Sequence, residues 1–325
     1  MIVVLTILCA FILGLTLGRM LIPTLRALKA GQSIREIGPK WHSGKTGTPT
    51  MGGLIFIGAA LVSLVAGIPF MQKGQMEQVF VLLLALVFGA IGFADDFIKV
   101  VKKRNLGLTA LQKLLMQLAA AALFLLALRR FGYLSNEIYV PFFNVTFTIN
   151  WVVYLVFAVF VIVGCVNAVN LTDGIDGLAS GVTIPVMLYF LVISYLYDKE
   201  GLCMFPAALI GGLLAFLTFN YHPAKVFMGD TGSLFLGGAV CGMAFALDMP
   251  LVLIPVGLIY IIETVSVILQ VGYFKLTHGK RIFKMTPIHH HFELCGWSEE
   301  KIFWIFTSVT AVLCVLTYFG TAGRF

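Results

Sequence analysis

Asn167-Ala168-Val169-Asn170-Leu171-Thr172-Asp173-Gly174-Ile175-Asp176-Gly177-Leu178 is the stretch on which the reading of this chain turns. It sets two asparagines, a threonine and two aspartates between two strongly apolar runs, 151–166 and 182–196. A carboxylate at the rim of an apolar helix is expensive to desolvate unless a cation, a partner or water compensates it. Gly174 and Gly177 free the backbone to turn tightly and to bring amide N–H groups close to an anion. The stretch therefore reads as a polar active-site loop at a membrane surface, on which the other polar loops are expected to converge.

The flanking chain has the matching composition. It is 60% hydrophobic and 11% charged, with a mean hydropathy of +0.99, far too apolar for a soluble domain of this length. Apolar runs of ~20 residues read as transmembrane helices, and about ten are found. They fall near 2–21, 54–70, 79–94, 111–128, 151–166, 182–197, 203–219, 234–247, 251–274 and 302–319. The expected fold is thus an all-α integral membrane protein, a single polytopic domain over 1–325. The first run has no basic segment before it and no small-residue cleavage site after it, so it is expected to stay as the first span. Six cysteines lie mostly in or beside apolar runs, without a Cys-x-x-Cys pair, and read as reduced packing residues.

A net charge of +7 raises nucleic acid as a partner, but the placement of the charge points to a membrane and away from nucleic acid. Arg26, Lys29, Arg35, Lys40 and Lys45 fill the first loop, Lys99, Lys102, Lys103 and Arg104 the third, and Lys275, Lys280, Arg281 and Lys284 the last long one. Alternating spans put these loops on one side, which the bias of Lys and Arg makes cytoplasmic. Both termini then lie outside. Lys73, Arg129, Arg130 and Lys199 run against the bias without reversing it. The outside segment 129–150 alternates in part at period two, which admits a short hairpin.

By the same count every polar cluster falls on the cytoplasmic side. Lys45 to Gly53 is basic and glycine-containing, yet the leading glycine of a P-loop is replaced by Pro39 and no strand precedes it, so nucleoside triphosphate hydrolysis is unsupported. Asp95 and Asp96 are adjacent like charges at a membrane boundary, an arrangement that a divalent metal and phosphate would satisfy. Asp230 stands between Gly229 and Thr231-Gly232-Ser233, where an ordinary helix N-cap is the plain alternative. A third acidic loop on one face favours chemistry. Glu263 and Gln270 lie within the 251–274 run and read as packing polars, although Gln270, near the cytoplasmic end, can face the site. His289, His290 and His291 are too closely spaced to converge on zinc and have no cysteine beside them. Imidazoles there suit hydrogen bonds to phosphate oxygens. Acidic residues with Lys, Asn, Thr and His meet the needs of a magnesium–diphosphate site.

Five motifs taken together carry a resemblance: Thr48-Pro49-Thr50-Met51-Gly52-Gly53, Phe93-Ala94-Asp95-Asp96, Asn167 to Gly174, Met228-Gly229-Asp230-Thr231-Gly232-Ser233 and Pro287-Ile288-His289-His290-His291-Phe292-Glu293. The chain resembles the bacterial phospho-N-acetylmuramoyl-pentapeptide transferases over essentially its whole length. The Asp-Asp and Gly-Asp elements alone mark the wider polyprenyl-phosphate hexose-1-phosphate transferases, and the histidine segment the muramoyl branch.

The resemblance implies transfer of phospho-MurNAc-pentapeptide from UDP-MurNAc-pentapeptide to undecaprenyl phosphate, giving UMP and lipid I, in the bacterial cytoplasmic membrane. It implies Mg²⁺ as cofactor, ten spans, a homodimer and a groove facing the cytoplasm. For individual residues it implies that Asp230 ligates the metal and that Asp95, with Asp96 beside it, deprotonates or orients the carrier phosphate. Asn170, Asp173 and Asp176 would hold the uridine end or position the metal. Lys45, Thr50, His289, His290 and His291 would contact phosphates, with His289 counted among the catalytic groups. Asn220, Gly229, Ser233 and Gln270 complete the substrate-binding set. Two rivals stand beside this reading: a sister transferase taking UDP-GlcNAc, and a cation-coupled transporter, against which the one-sided placement of the acids argues.

Overall fold

The computed structural model describes residues 1–28, 47–67, 77–102 and 106–324. The long apolar runs form helices: α1 (Ile2–Ala27), α2 (Gly53–Gly67), α3 (Glu77–Val101), α4 (Ala110–Arg130), α5 (Trp151–Thr172), α6 (Leu178–Leu196), α7 (Glu200–Asn220) and α8 (Gly229–Ala246). A 3-10 turn and the short α9 (Leu253–Val256) precede α10 (Leu258–Leu276), which is followed by α11 (Ile288–Leu294) and α12 (Glu299–Thr321). Capping residues start several of them. Thr109 and Gln112 form a reciprocal capping box at α4, Asn150 accepts from the amide of Val152 at α5, and Ser298 accepts from Lys301 at α12.

This is an all-α, multi-pass membrane protein. Among the described residues, eight helices are long and apolar enough to cross a membrane, and α2 is a shorter apolar one. The expected run 54–70 extends past Gly67 beyond the described residues. The faces turned outward carry large apolar side chains, such as Leu8 and Ile12 on α1, Val156 and Phe160 on α5, and Val315 and Phe319 on α12. Such faces suit acyl chains, which are as apolar as the side chains themselves.

α8 is different. Apart from Asp230, every one of its residues is buried, so it is enclosed by protein rather than lipid. Its small residues let neighbouring backbones approach, as where Gly237 faces the Cα of Val166 on α5. α3 packs against it, and this α3–α8 pair carries Asp95, Asp96 and Asp230.

Four local expectations meet a more detailed structure. The hairpin is present: β1 (Glu137–Val140) pairs antiparallel with β2 (Val145–Thr148), Glu137 opposite Thr148 and Val140 opposite Val145. The stretch 167–178 is not a loop throughout, because α5 continues to Thr172 and α6 begins at Leu178, which leaves a turn over 173–177. Gly177, at φ +78°, supplies the left-handed conformation that starts α6. The run 251–274 breaks at Gly257, and the histidine segment is the helix α11 rather than a loop.

Candidate active site

The acidic centre is assembled by backbone pairing before any side chain acts. The Thr-Pro-Thr-Met-Gly-Gly segment lies against the chain entering α8: the amide of Phe227 donates to Pro49 (2.8 Å), and those of Gly52 and Gly53 donate to Phe227 and Met228 (both 2.9 Å). Gly229 has φ +73°, and a Cβ there would stand 2.6 Å from Asp96 Oδ2 and 2.7 Å from Thr50 Oγ1. Only glycine lets these two side chains meet the start of α8. Across the same junction, Gly92 of α3 brings that helix against the backbone of Asp230.

Asp95, Asp96 and Asp230 consequently converge, each offering one oxygen, with those oxygens within 4.8 Å of one another. Asp96 Oδ2 accepts from both the amide (2.9 Å) and the hydroxyl (2.7 Å) of Thr231. Its Oδ1 is buried without a hydrogen-bond partner, and Lys99 Nζ stands 3.7 Å away. Asp95 Oδ1 accepts from the amide of Leu108 (2.8 Å), and Lys99 pairs with its other oxygen. Asp230 is held from three sides: Asn170 donates to Oδ1 (2.9 Å), while Lys99 (3.1 Å) and Lys113 (2.9 Å) donate to Oδ2. The Asn170 amide also donates to Ser233 Oγ (2.7 Å), whose hydroxyl donates to the carbonyl of Gly229 (3.0 Å). Three carboxylates face two ammonium groups here, which offsets much of the cost of gathering like charges.

A second group pins the 173–177 turn. Asp176 Oδ2 lies 3.0 Å from His222 Nδ1 and accepts from the amide of Ala224 (3.0 Å), and the Asp176 amide donates to Glu299 at the start of α12 (3.1 Å). Asn220 accepts from the amide of Gly177 (3.1 Å) and donates to the carbonyl of Val226 (2.9 Å). Asp173 is the carboxylate of this turn that feels the charge of the acidic centre. Burial pushes its carboxyl well above the usual range, and the negative Asp230 and Asp96 push it further.

The histidines form a third group. His289 Nε2 lies against Gly174, where a Cβ would fall 2.2 Å from it, while Nδ1 is 3.0 Å from Glu263 Oε2. His290 Nδ1 lies 2.6 Å from Glu293 Oε2, and His291 Nδ1 accepts from the amide of Lys284 (3.2 Å). Gln270 accepts from the amides of Ile282 and Phe283 and donates to the carbonyl of Phe283, so it fixes the segment leading to α11.

Of the residues singled out from sequence, Asp95, Asp96, Asp230, Thr50, Gly229, Asn170 and Ser233 share one centre. Asp173 and His289 border it through the turn. Asn220 and Gln270 have their amides engaged with backbone, and Lys45 lies outside the described residues. Lys113, Lys99 as a partner of Asp230, and the Glu299–His222 pair were not singled out. A lone lysine in the first turn of an apolar helix is the one signal that marks Lys113.

Buried carboxylates and ammonium groups gathered at one helix junction of a multi-pass protein are the chemistry expected of a membrane enzyme that handles phosphate groups. Residues 78–248 match the family model for glycosyl transferase family 4, and residues 45–57 match phospho-N-acetylmuramoyl-pentapeptide-transferase signature 1. The phospho-N-acetylmuramoyl-pentapeptide-transferase of Clostridium beijerinckii is 48% identical, covering 95% of this chain and 93% of its own length. That of Clostridium acetobutylicum is 46% identical over 98% of each chain, and that of Halalkalibacterium halodurans 47% identical over 97% of each. The chain belongs to the phospho-N-acetylmuramoyl-pentapeptide-transferase family, within glycosyl transferase family 4.

Proposed function

We propose that the protein transfers phospho-MurNAc-pentapeptide from UDP-MurNAc-pentapeptide to undecaprenyl phosphate, releasing UMP and forming lipid I at the cytoplasmic face of the bacterial inner membrane. The observation that carries this is the meeting of Asp95, Asp96 and Asp230 with Lys99 and Lys113, built from the motifs of the matching family. One phosphoanhydride is exchanged for another: an oxygen of the carrier phosphate bonds to the sugar-side phosphorus as the bond to UMP breaks. No separate energy source is needed.

Mg²⁺ is the cofactor in this reading. The donor set fits a hard divalent cation, since it is all carboxylate oxygen and Asp96 Oδ1 is buried without a hydrogen-bond partner. Asp230 would ligate it, with Asp95 and Asp96 beside it, and the bound ion would stabilise charge developing on the diphosphate. The chain's own residues do the rest. Asn170 and Ser233 hold the orientation of Asp230, and Thr231 fixes Asp96. Lys99 and Lys113 stand where phosphate oxygens require positive charge, and Asp95 orients or deprotonates the carrier phosphate. The turn 173–177, pinned by Asn220 and Glu299, offers Asp173 to the uridine end of the donor.

Incubating the purified protein with UDP-MurNAc-pentapeptide, undecaprenyl phosphate and Mg²⁺ tests the reading. UMP and a lipid-linked product are expected; no UMP overturns the proposal, and UMP from UDP-GlcNAc alone assigns the sister reaction. A reporter active only outside the cytoplasm, fused after Phe325, tests the orientation, and the mass of the detergent-solubilised particle tests the homodimer that the family resemblance implies.

A further inference from the structure

The pair Glu263–His289 has no part in the steps above, and both side chains are 0% exposed. Glu263 sits in α10 and His289 in α11, 26 residues apart, with His289 Nδ1 3.0 Å from Glu263 Oε2. The backbone amide of His289 also approaches the same oxygen (3.5 Å). Glu263 Oε1 and His289 Nε2 are both buried without a hydrogen-bond partner. The Nε2 atom abuts Gly174, close enough that any Cβ there would collide with it, so it reaches the turn that carries Asp173. The ring of His290 packs edge-on at 4.1 Å between centroids and closes the other side of the imidazole.

A carboxylate fully enclosed in an apolar helix is costly and persists where a partner makes use of it. An ionised carboxylate only accepts hydrogen bonds, so its contact with Nδ1 keeps a proton on that nitrogen and leaves Nε2 as the atom turned to the rest of the site. Carboxylates hold imidazoles in this manner at metal sites and in hydrolases, where they set both ring orientation and tautomer. The alternative is a plain pin between α10 and α11, which needs a hydrogen bond but no particular tautomer.

We propose that Glu263 is the positioning residue of His289: it holds the Nδ1 proton and thereby aims Nε2 at the Asp173–Gly174 turn, where the donor is bound. The role rests on the transferase reading above. It separates two functions within the histidine segment, since His290 and His291 are engaged with Glu293 and the Lys284 amide instead.

Two measurements on the full-length protein in nanodiscs test this. With ¹⁵N-labelled imidazoles, His289 should show a locked Nδ1–H, as should His222 and His290, whose Nδ1 atoms also face carboxylates; the His289 signal, assigned by its loss in H289A, should alone shift toward mixed tautomers in E263Q. In UMP release, E263A should lower kcat roughly tenfold or more, leave KM for the donor within about twofold, and be partly rescued by E263D. Combined with H289A, E263A should cost nothing further. A wild-type His289 protonated only on Nε2 overturns the proposal, as does an E263A loss of equal size with and without His289. If E263A does not fold, E263Q carries the kinetic arm. Failure of the wild type to release UMP would sink the transferase reading while leaving the tautomer result to decide the Glu263 assignment by itself. An impaired H289A beside an unimpaired E263A removes the assignment and leaves that reading standing.

Discussion

Replacing Gly92 by alanine tests whether the close approach of α3 and α8 builds the acidic centre. Gly92 lies one helical turn before Asp95 and Asp96, and a Cβ there would fall 2.0 Å from the carbonyl oxygen of Asp230 and 2.8 Å from the amide nitrogen of Thr231. Both are backbone atoms, so no rotamer change relieves the clash. Ordinary contact begins at 3.4 Å, and going from 2.0 Å to that value opens the two helices by about 1.4 Å. The movement falls where Thr231 donates to Asp96 at 2.9 and 2.7 Å, and it carries both hydrogen bonds past their useful range. Overpacking of this kind costs about 1–3 kcal/mol of stability. Misplacing reacting groups by about 1 Å costs about 10²-fold in rate, or about 2.7 kcal/mol in the barrier. Gly89 is the milder comparison on the same helix: a Cβ there meets Phe235 at 3.2 Å, only a few tenths of an ångström inside ordinary contact, and no backbone atom closer than 3.6 Å. Initial rates of UMP release and thermal midpoints in detergent should therefore show G92A slowed by about two orders of magnitude and G89A close to wild type. G92A at the wild-type rate, or the two variants equally slow, would refute the claim that helix spacing sets the site.

Asp230→Asn removes the carboxylate that Asn170, Lys99 and Lys113 orient, and it is expected to abolish turnover and flatten the response to added Mg²⁺; a normal Mg²⁺ titration would remove the metal assignment. Lys113→Met takes one of two ammonium groups from Asp230, and it should lower kcat/KM about tenfold or more, about 1.4 kcal/mol, without lowering the thermal midpoint, which separates a role in binding phosphate from one in folding. Asp248 lies in the turn after α8 at φ 55°, a conformation asparagine also adopts. Burial raises its carboxyl above the usual range, against the lowering effect of the Ser135 hydroxyl. The unfolded chain then releases its proton at lower pH than the folded one, so stability falls as pH rises from about 3.8 through the folded value. Asp248→Asn should accordingly raise the melting temperature at pH 8 relative to wild type and lose that advantage toward pH 4; a gap that is constant with pH would exclude the linkage.

The spans were legible because lipid demands long apolar helices, and no other element in this chain shows comparable runs. The carboxylates were legible for the opposite reason, standing where an ionised group is costly. What stayed hidden depends on contacts between distant segments. Asn167 to Thr172 has the composition of a loop, yet the helix continues because Asn170 finds Asp230 and Ser233, 60 and 63 residues away, to use its amide. Glu263 reads as a packing residue until α11 brings His289 to it. Lys113 looks like a cation at a helix end, and only the position of α4 beside α3 turns it toward Asp230.

The same dependence explains why each acidic residue of the centre occupies its own kind of local structure. Asp95 and Asp96 are adjacent on α3 and leave the helix in different directions; each sets one oxygen toward Asp230, while Asp96 is held by Thr231 and Asp95 by Leu108 and Lys99. Asp230 lies in the first turn of α8, where the helix dipole favours its negative charge and free amides already engage Asp96. Two lysines face three carboxyl groups there, and Asp96 Oδ1 is the oxygen that the hydrogen bonds leave over. A divalent cation bound at that position would add positive charge beyond that of the two lysines. The Mg²⁺ proposed for this site would meet that oxygen, and the Mg²⁺ response of Asp230→Asn tests the assignment.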